Sequence, residues 1–249
     1  MTTAMTTVTT ATTMAIATEA RTLPPATLLA LMRLASPSLP VGGFSYSEGL
    51  ESAVDAGQVH DEASAGDWLL QQLELVQARA EAPAVARAAR AWRASDAAAV
   101  AAVNAWVLAT RESQEFRRQA EQMGRSLADW LKNGEHAADP RIARLAALSP
   151  APAWPVAFAL AGVLAGADDE TLLLAHGFGW CENMVQAAMK AVPLGQAAAQ
   201  RMLSRLSAAL PGTVARVLAA ADEEPQAFAP LLAILSARHE TQYSRLFRS

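Results

Sequence analysis

Alanine constrains this sequence more than any other residue type does. Of the 249 residues, 59 are alanine, close to half of the 52% that are hydrophobic, whereas aromatic residues make up only 6%. Alanine has the highest intrinsic helix propensity but fills little core volume. Strands rely instead on β-branched and aromatic side chains. The composition therefore favours closely packed helices over a domain built on a sheet.

Helical periodicity and capping residues recur along the chain, whereas the alternation typical of strands is nearly absent. We predict about ten helices in one all-α, helical-bundle-like domain spanning 23–249. Asp96 and Asp139 are the predicted N-caps of two helices. Prolines predict helix starts or breaks near 83 and 211, so that 194–210 and 213–221 are read as separate helices. Two further predicted helices, 45–56 and 226–240, flank the most distinctive segments.

Two segments are not expected to behave as ordinary parts of a folded domain. Residues 1–22 are threonine-rich, with nine threonines between positions 2 and 18, and lack the basic start and apolar core of a secretory signal, so we predict a disordered leader. Residues 145–167 carry no charge, but three prolines leave only 156–167 as an uninterrupted apolar run. A membrane span needs about 20 residues, so we predict a buried core helix and no membrane segment.

Charge and metal-ligand content exclude several classes of function. The net charge of −4 provides no positive field for nucleic acid or an anionic membrane. The single cysteine, Cys181, excludes an internal disulfide framework and is compatible with a reducing cytoplasm. None of the four histidines pairs with another at a helical spacing, so we predict no metal site. The sequence also lacks the glycine-rich phosphate loop of nucleotide-binding proteins.

Two segments stand out from the alanine-rich background, and each contains one of the two tyrosines. We call residues 38–51 the N-terminal motif and residues 238–249 the C-terminal motif. Turn and helix-start chemistry explains the glycines of the first motif, and a frayed tail would explain the second. Docking of another protein is the alternative for both, because aromatic residues and arginine suit interfaces. The predicted partner-binding residues are Phe44, Tyr46, Glu48, Glu51, Tyr243, Arg245, Phe247 and Arg248.

Four segments, in the expected order, resemble the UreF family of urease accessory proteins. Residues 36–51, SPSLPVGGFSYSEGLE, are similar to the family's N-terminal signature. Residues 111–127 resemble its central charged helix, and residues 191–196, AVPLGQ, resemble its Val-Pro-Leu-Gly-Gln segment. Residues 240–249, ETQYSRLFRS, resemble its terminus. The similarity extends from about residue 26 to the end of the sequence, and the leader lies outside it.

The resemblance implies an all-α, dimeric, cytoplasmic protein without catalytic activity of its own. Such a protein assembles with a second accessory protein, UreD (also called UreH), and with the GTPase UreG on apo-urease. The complex delivers nickel to the active site of urease. Nickel and GTP are expected to be bound by the partners, so no cofactor is predicted for this chain.

Three mechanisms remain open from the sequence. In the first, the chain is a scaffold, and Tyr46 and Arg245 form part of a composite docking surface. In the second, it regulates the GTPase through an arginine finger, with Arg111, Arg245 and Arg248 as candidates. The third is a helical enzyme with an unrecognised site. Its candidate carboxylate pairs, Glu48 with Glu51 and Glu112 with Glu115, have helical spacing but are more simply explained as solvated side chains.

The apolar stretch within 171–206 suggests a homodimer contact, because such a surplus belongs either to the core or to a symmetric interface. The candidate interface residues are Leu173, His176, Phe178 and Trp180.

Overall fold

The computed structural model describes residues 22–221 and 223–248. The disordered leader predicted for 1–22 falls outside these residues apart from Thr22. Within them, every regular element is helical and no strand occurs, which confirms the predicted all-α class.

Eleven α-helical segments occur in the described residues. They are α1 (Pro25–Ala35), α2 (Leu50–Asp55), α3 (Glu62–Gln72), α4 (Ala82–Arg93), α5 (Ala97–Ala109), α6 (Gln114–Lys132), α7 (Pro140–Ala146), α8 (Trp154–Leu164), α9 (Asp169–Ala191), α10 (Gln196–Ala219) and α11 (Pro230–His239). A π-helical segment, Leu73–Glu81, joins α3 to α4. The described chain therefore contains ten separate helices, in agreement with the predicted number.

Helix α8 lies at the centre of the fold and packs against α4 and α6, while α9 packs against α10 and α1. Most of the α8 side chains are fully buried, as the uncharged run in the sequence predicted. The indole of Trp92 on α4 donates a hydrogen bond to the Val156 carbonyl at 3.0 Å. Among the described helices, none combines the length and the hydropathy needed to span a membrane.

The predicted caps on two helices are confirmed. The Asp96 carboxylate accepts a hydrogen bond from the Ala99 N–H at 2.9 Å, and the Asp139 carboxylate accepts one from the Arg141 N–H at 2.9 Å. Each satisfies one of the backbone donors that the first helical turn leaves unpaired.

The helix break predicted near Pro211 is wrong, whereas the helix start predicted at Pro83 is confirmed as the first turn of α4, although no gap separates α4 from the π-helical segment before it. Pro83 lies inside the continuous rod formed by α3, the π-helical segment and α4. Because Pro83 has no N–H, the Arg79 carbonyl loses its usual partner four residues ahead, and it accepts the N–H of Gln226 instead, at 2.9 Å. Pro211 lies inside α10, where Leu206, Leu210 and Val214 are buried in the core on both sides of it. Tertiary packing thus retains the helix at both prolines.

Two predicted helices near the distinctive segments are shorter than expected. The helix predicted for 45–56 begins only at Leu50, because Glu48 and Gly49 have φ angles of 50° and 81° and interrupt a right-handed helix. Gly57, with φ of 72°, follows its end as predicted. The helix predicted for 226–240 is α11, which begins at Pro230.

Candidate functional site

The N-terminal motif is held in place by a turn that only glycine fits easily. Gly49 has a positive φ of 81°, and a Cβ atom at this position would lie 2.9 Å from the Leu232 side chain on α11. The close approach lets α2 pack against α11, which leads into the C-terminal motif. The Gly49 turn therefore serves to bring the two motifs together.

Glu48, beside this glycine, is fixed by two long-range hydrogen bonds. The Trp180 indole on α9 donates to Glu48 Oε2 at 2.9 Å, and the Gln119 amide on α6 donates to Oε1 at 2.7 Å. These bonds stabilise a residue whose φ of 50° is unusual for a side chain other than glycine. Burial raises the pKa of the Glu48 carboxyl, and the two hydrogen bonds offset part of that rise. Glu48 is therefore an internal anchor of the motif.

The Glu51 side chain binds the backbone of the C-terminal motif. Its side-chain oxygens accept hydrogen bonds from the N–H groups of Leu246, at 2.7 Å, and Phe247, at 3.0 Å. A further backbone bond joins the Arg248 N–H to the Ser45 carbonyl at 2.8 Å. Hydrogen bonds that backbone N–H groups donate to a carboxylate are charge-assisted, and they are stronger than hydrogen bonds between neutral groups. Glu51 is thus the main attachment point of the C-terminal segment.

A buried network extends from Glu51 to α6. His239, which is fully buried, places Nε2 3.0 Å from Glu51 Oε2 and Nδ1 2.9 Å from Glu115 Oε2. The second oxygen of Glu115 accepts a hydrogen bond from Arg245 Nη1 at 2.9 Å. The two carboxylates are largely buried, so each depends on these partners to remain inside the protein. The network connects the N-terminal motif, α6 and the C-terminal motif.

Aromatic packing completes the junction between the motifs. The Phe247 ring is buried, and the Lys190 ammonium lies 5.7 Å from its centroid and 6.0 Å from the centroid of Phe44. Tyr46 is also buried; burial raises the pKa of its hydroxyl, and a hydrogen bond with the Arg248 side chain offsets part of the effect. Tyr46 and Phe247 therefore join the motifs to each other within one chain.

Other side chains of the motifs remain exposed. Tyr243 is fully exposed, Leu246 is 70% exposed and Phe44 is 54% exposed, while 41% of the Arg245 side chain remains accessible. Buried contacts hold the backbone at 246–248 and the Arg245 guanidinium, so Leu246 and Arg245 are presented from a fixed position. The predicted partner-binding residues thus divide into internal anchors and an exposed surface.

Arg111, predicted as a possible arginine finger, lies inside the molecule and is ion-paired with Glu81 of the π-helical segment. Burial disfavours the charge of Glu81, but the Arg111 guanidinium outweighs it and lowers the pKa of the Glu81 carboxyl. His176 lies near this pair, with its ring 5.0 Å from that of Phe158, and burial lowers the pKa of His176 to about 4. Arg111 is already committed to Glu81, so it is not available as a finger in this conformation.

The four predicted dimer residues lie in different environments. Leu173, His176 and Trp180 are buried within the chain's own core. Phe178, at 38% exposed, keeps part of its ring at the surface. A homodimer contact in this region stays a prediction, and of the four candidates Phe178 is the one with substantial ring surface to offer it.

The predicted partner-binding residues omit three residues of the site, namely Glu115, His239 and Leu246. Glu115 was interpreted as a solvated carboxylate, as was Glu51, but both are buried. His239 and Leu246 belong to the C-terminal motif but are not among the predicted partner-binding residues. The missing signal is long-range, because His239 meets partners 124 and 188 positions away in sequence. No local sequence pattern predicts such a contact.

The described residues offer no group of three or more His, Cys, Asp or Glu side chains arranged to hold a metal ion. His239 separates Glu51 from Glu115 and contacts each through a different ring nitrogen. These three side chains join segments of the chain and do not point toward a common position where a metal ion could bind.

Comparison with known proteins identifies close relatives. A family model described as UreF matches residues 59–207, more than half of the chain. The chain is 61% identical over 231 residues to the urease accessory protein UreF of Paracidovorax citrulli, covering 91% of each chain. It is 61% identical over 224 residues to that of Methylibium petroleiphilum, covering 90% of this chain and 94% of the relative. A Bordetella bronchiseptica protein named bifunctional urease accessory protein UreEF is 50% identical over 225 residues, covering 89% of this chain and 52% of the relative.

Proposed function

Since the chain belongs to the UreF family of urease accessory proteins, we propose that it serves nickel insertion into urease as a non-catalytic scaffold. The observation that carries the proposal is the junction of the two motifs, which presents exposed apolar and charged side chains from a firmly attached backbone. An interface gains affinity when its residues are held in the binding conformation beforehand.

The proposed partners are the accessory protein UreD/UreH, the GTPase UreG and apo-urease, and the proposed setting is the cytoplasm. A homodimer is proposed as the working form. The relative named as bifunctional UreEF supports the idea that a UreF chain works beside other accessory proteins, because there a matching chain is part of a longer one. In this proposal nickel and GTP are held by the partners.

The docking surface is testable with a variant that leaves the fold intact. Tyr243 is fully exposed, so Tyr243→Ala should remove a docking group without changing the free energy of unfolding. We expect at least a tenfold loss of affinity in co-purification with UreD/UreH and UreG, together with reduced urease activation. Phe228→Ala is the matched control, because Phe228 is an exposed aromatic residue outside both motifs.

A Tyr243→Ala variant that retained both partners and full urease activation would contradict the docking surface, and so would an equal loss in Phe228→Ala. Deletion of the last ten residues tests the same surface more severely, because it removes Arg245 and the bonds to Glu51 together. Tyr46→Ala examines the internal anchor, since Tyr46 is buried. That variant should lose partners through a displaced C-terminal motif.

Regulation of the GTPase is the second candidate function. It is favoured by the position of Arg245 and Arg248, whose side chains line an open cleft. An arginine that reaches a bound nucleotide accelerates hydrolysis by stabilising the transferring charge. GTP turnover by the reconstituted complex should fall at least tenfold in Arg245→Ala or Arg248→Ala if either residue acts in this way. Unchanged turnover in both variants, with the complex still assembled, would exclude the finger.

A further inference from the structure

A cleft of about 420 Å³ lies between α6 and the C-terminal motif. Arg118 and Gln122 contribute from α6, where their spacing of four residues places them on the same helix face. Arg245 and Arg248 contribute from the C-terminal motif, and Tyr46 contributes from the N-terminal motif. We call this the arginine cleft. Three guanidinium groups from two separate elements thus converge on one concavity.

Positive charge exceeds negative charge in the arginine cleft. Among the residues that the structure describes, Glu115 is the one carboxylate that lines it, and it uses Oε1 for Arg245 and Oε2 for His239. Within residues 22–221 and 223–248, no carboxylate lies within ion-pair distance of Arg118 or Arg248. The Arg248 side chain bonds the Tyr46 hydroxyl, which is neutral. Counted over the described residues, the cleft therefore holds two guanidinium charges beyond the one that Glu115 balances.

The donors in the arginine cleft suit an oxyanion. A guanidinium group presents several N–H donors in a planar fork that matches carboxylate and phosphate oxygens. The Gln122 amide adds neutral donors to the same concavity. A single exposed arginine is ordinarily solvated, but the attachment of the C-terminal motif to Glu51 holds Arg245 and Arg248 opposite Arg118. The convergence is thus built into the fold.

We propose that the arginine cleft is an oxyanion-binding site that takes a carboxylate or phosphate group from another molecule. Two sources share this chemistry, namely an acidic side chain of a docked protein and the phosphate group of a nucleotide. The proposal goes beyond the scaffold function, because the isolated chain should bind a suitable oxyanion without any urease partner.

The test uses the full chain in calorimetric titrations at low ionic strength, where such contacts are least screened. One arm titrates inorganic pyrophosphate, and the other titrates a blocked hexaglutamate peptide. Arg118→Gln is the test variant, because it removes a guanidinium that has no carboxylate partner among the described residues. Arg117→Gln is the matched control on the same helix, since Arg117 pairs with Glu121 and does not line the cleft.

We expect saturable binding of at least one probe, weakened tenfold or more in Arg118→Gln and less than twofold in Arg117→Gln. Tighter binding of pyrophosphate would assign the site to a phosphate source, and tighter binding of the peptide would assign it to a protein carboxylate. The proposal is overturned if neither probe saturates, if Arg118→Gln binds like the wild type, or if both variants weaken equally. Because no partner protein is present, its failure would leave the scaffold proposal standing.

Discussion

Arg111 and Glu81 form an ion pair inside the helix assembly, where their side chains are 18% and 10% exposed. Burial removes both charges from water, and their mutual contact is the main compensation for the lost hydration. The free energy of unfolding is therefore much more sensitive to removing one member than to removing both. The same reasoning applies to the Glu51, His239 and Glu115 contacts, which are also buried.

We predict that Arg111→Leu lowers the free energy of unfolding by about 3 kcal/mol, because it leaves the Glu81 carboxylate buried without a partner. The double variant Arg111→Leu, Glu81→Leu should recover most of that loss. Denaturant titration measures both values. The surface pair of Arg117 and Glu121 provides the control, and Arg117→Leu should cost less than about 1 kcal/mol. Equal losses of the free energy of unfolding in the single and double variants would show that the partnerless Glu81 carboxylate is not what destabilises the single variant.

At the residue scale, the sequence singled out positions by their residue type but did not predict what they contact. Tyr46, Arg245 and Phe247 stood out because aromatic and charged side chains are scarce against so much alanine. Their roles depend on contacts across the whole chain, such as that between Glu51 and Phe247, which are 196 positions apart. Local sequence patterns carry no information about such pairings. The sequence therefore does not distinguish a buried anchor from an exposed side chain of the same motif.

At the element scale, composition and capping residues predicted the helices, but local rules did not predict correctly where the helices are interrupted. Proline at 83 or 211 removes one backbone donor, a local cost that predicts a break. Packing of the flanking turns into the core outweighs that cost in α10, and the Gln226 N–H supplies the Arg79 carbonyl beside Pro83. Local rules describe the cost correctly, but the compensating contacts come from elsewhere in the fold.

A stability prediction at the element scale concerns Gly124 on α6. A Cβ atom there would lie 2.0 Å from the Pro152 carbonyl oxygen and 2.8 Å from the Ala153 carbonyl carbon, both backbone atoms that cannot rotate away. We expect Gly124→Ala to lower the free energy of unfolding by about 3 kcal/mol, because α6 must move away from the segment before α8.

Gly212 within α10 is the matched control for Gly124. The nearest atom to its added Cβ would be the flexible end of Arg216, 3.8 Å away, so Gly212→Ala should raise the free energy of unfolding by about 0.5–1 kcal/mol through helix propensity. Thermal or denaturant unfolding of the two variants provides the measurement. Similar stabilities for Gly124→Ala and Gly212→Ala would mean that α6 is not confined as described.

For the whole molecule, the predicted class and domain organisation rested on average properties that do not depend on particular contacts. Alanine-rich composition and absent strand periodicity sufficed for the all-α class, which is confirmed. The arrangement of helices around α8 and the meeting of the two motifs needed three-dimensional packing. The UreF resemblance anticipated the family, although it did not reveal that several motif residues bind each other.

Stability against acid is a property of the whole molecule, and His176 should lower it between pH 6.5 and about pH 4. Burial lowers its pKa from 6.5 to about 4, so between these values the unfolded chain binds a proton that the folded chain does not. His176 therefore leaves stability intact above pH 6.5 and lowers it progressively as the pH falls toward 4, by about 3 kcal/mol in all.

Denaturant titrations at several pH values test this expectation. His176→Gln should lose less stability than the wild type between pH 7 and pH 4.5, whereas His60→Gln, at an exposed histidine, should follow the wild type. Parallel curves for the wild type and His176→Gln would show that His176 does not resist protonation.

The attachment of Leu246 to Glu51 also has a kinetic meaning, because it closes a loop of 195 residues. Closing so long a loop is entropically unfavourable until the intervening helices have folded, and non-local contacts of this kind form late. The proposed docking surface should thus be among the last parts of the protein to assemble. A partner that binds only the attached state would then stabilise that state further.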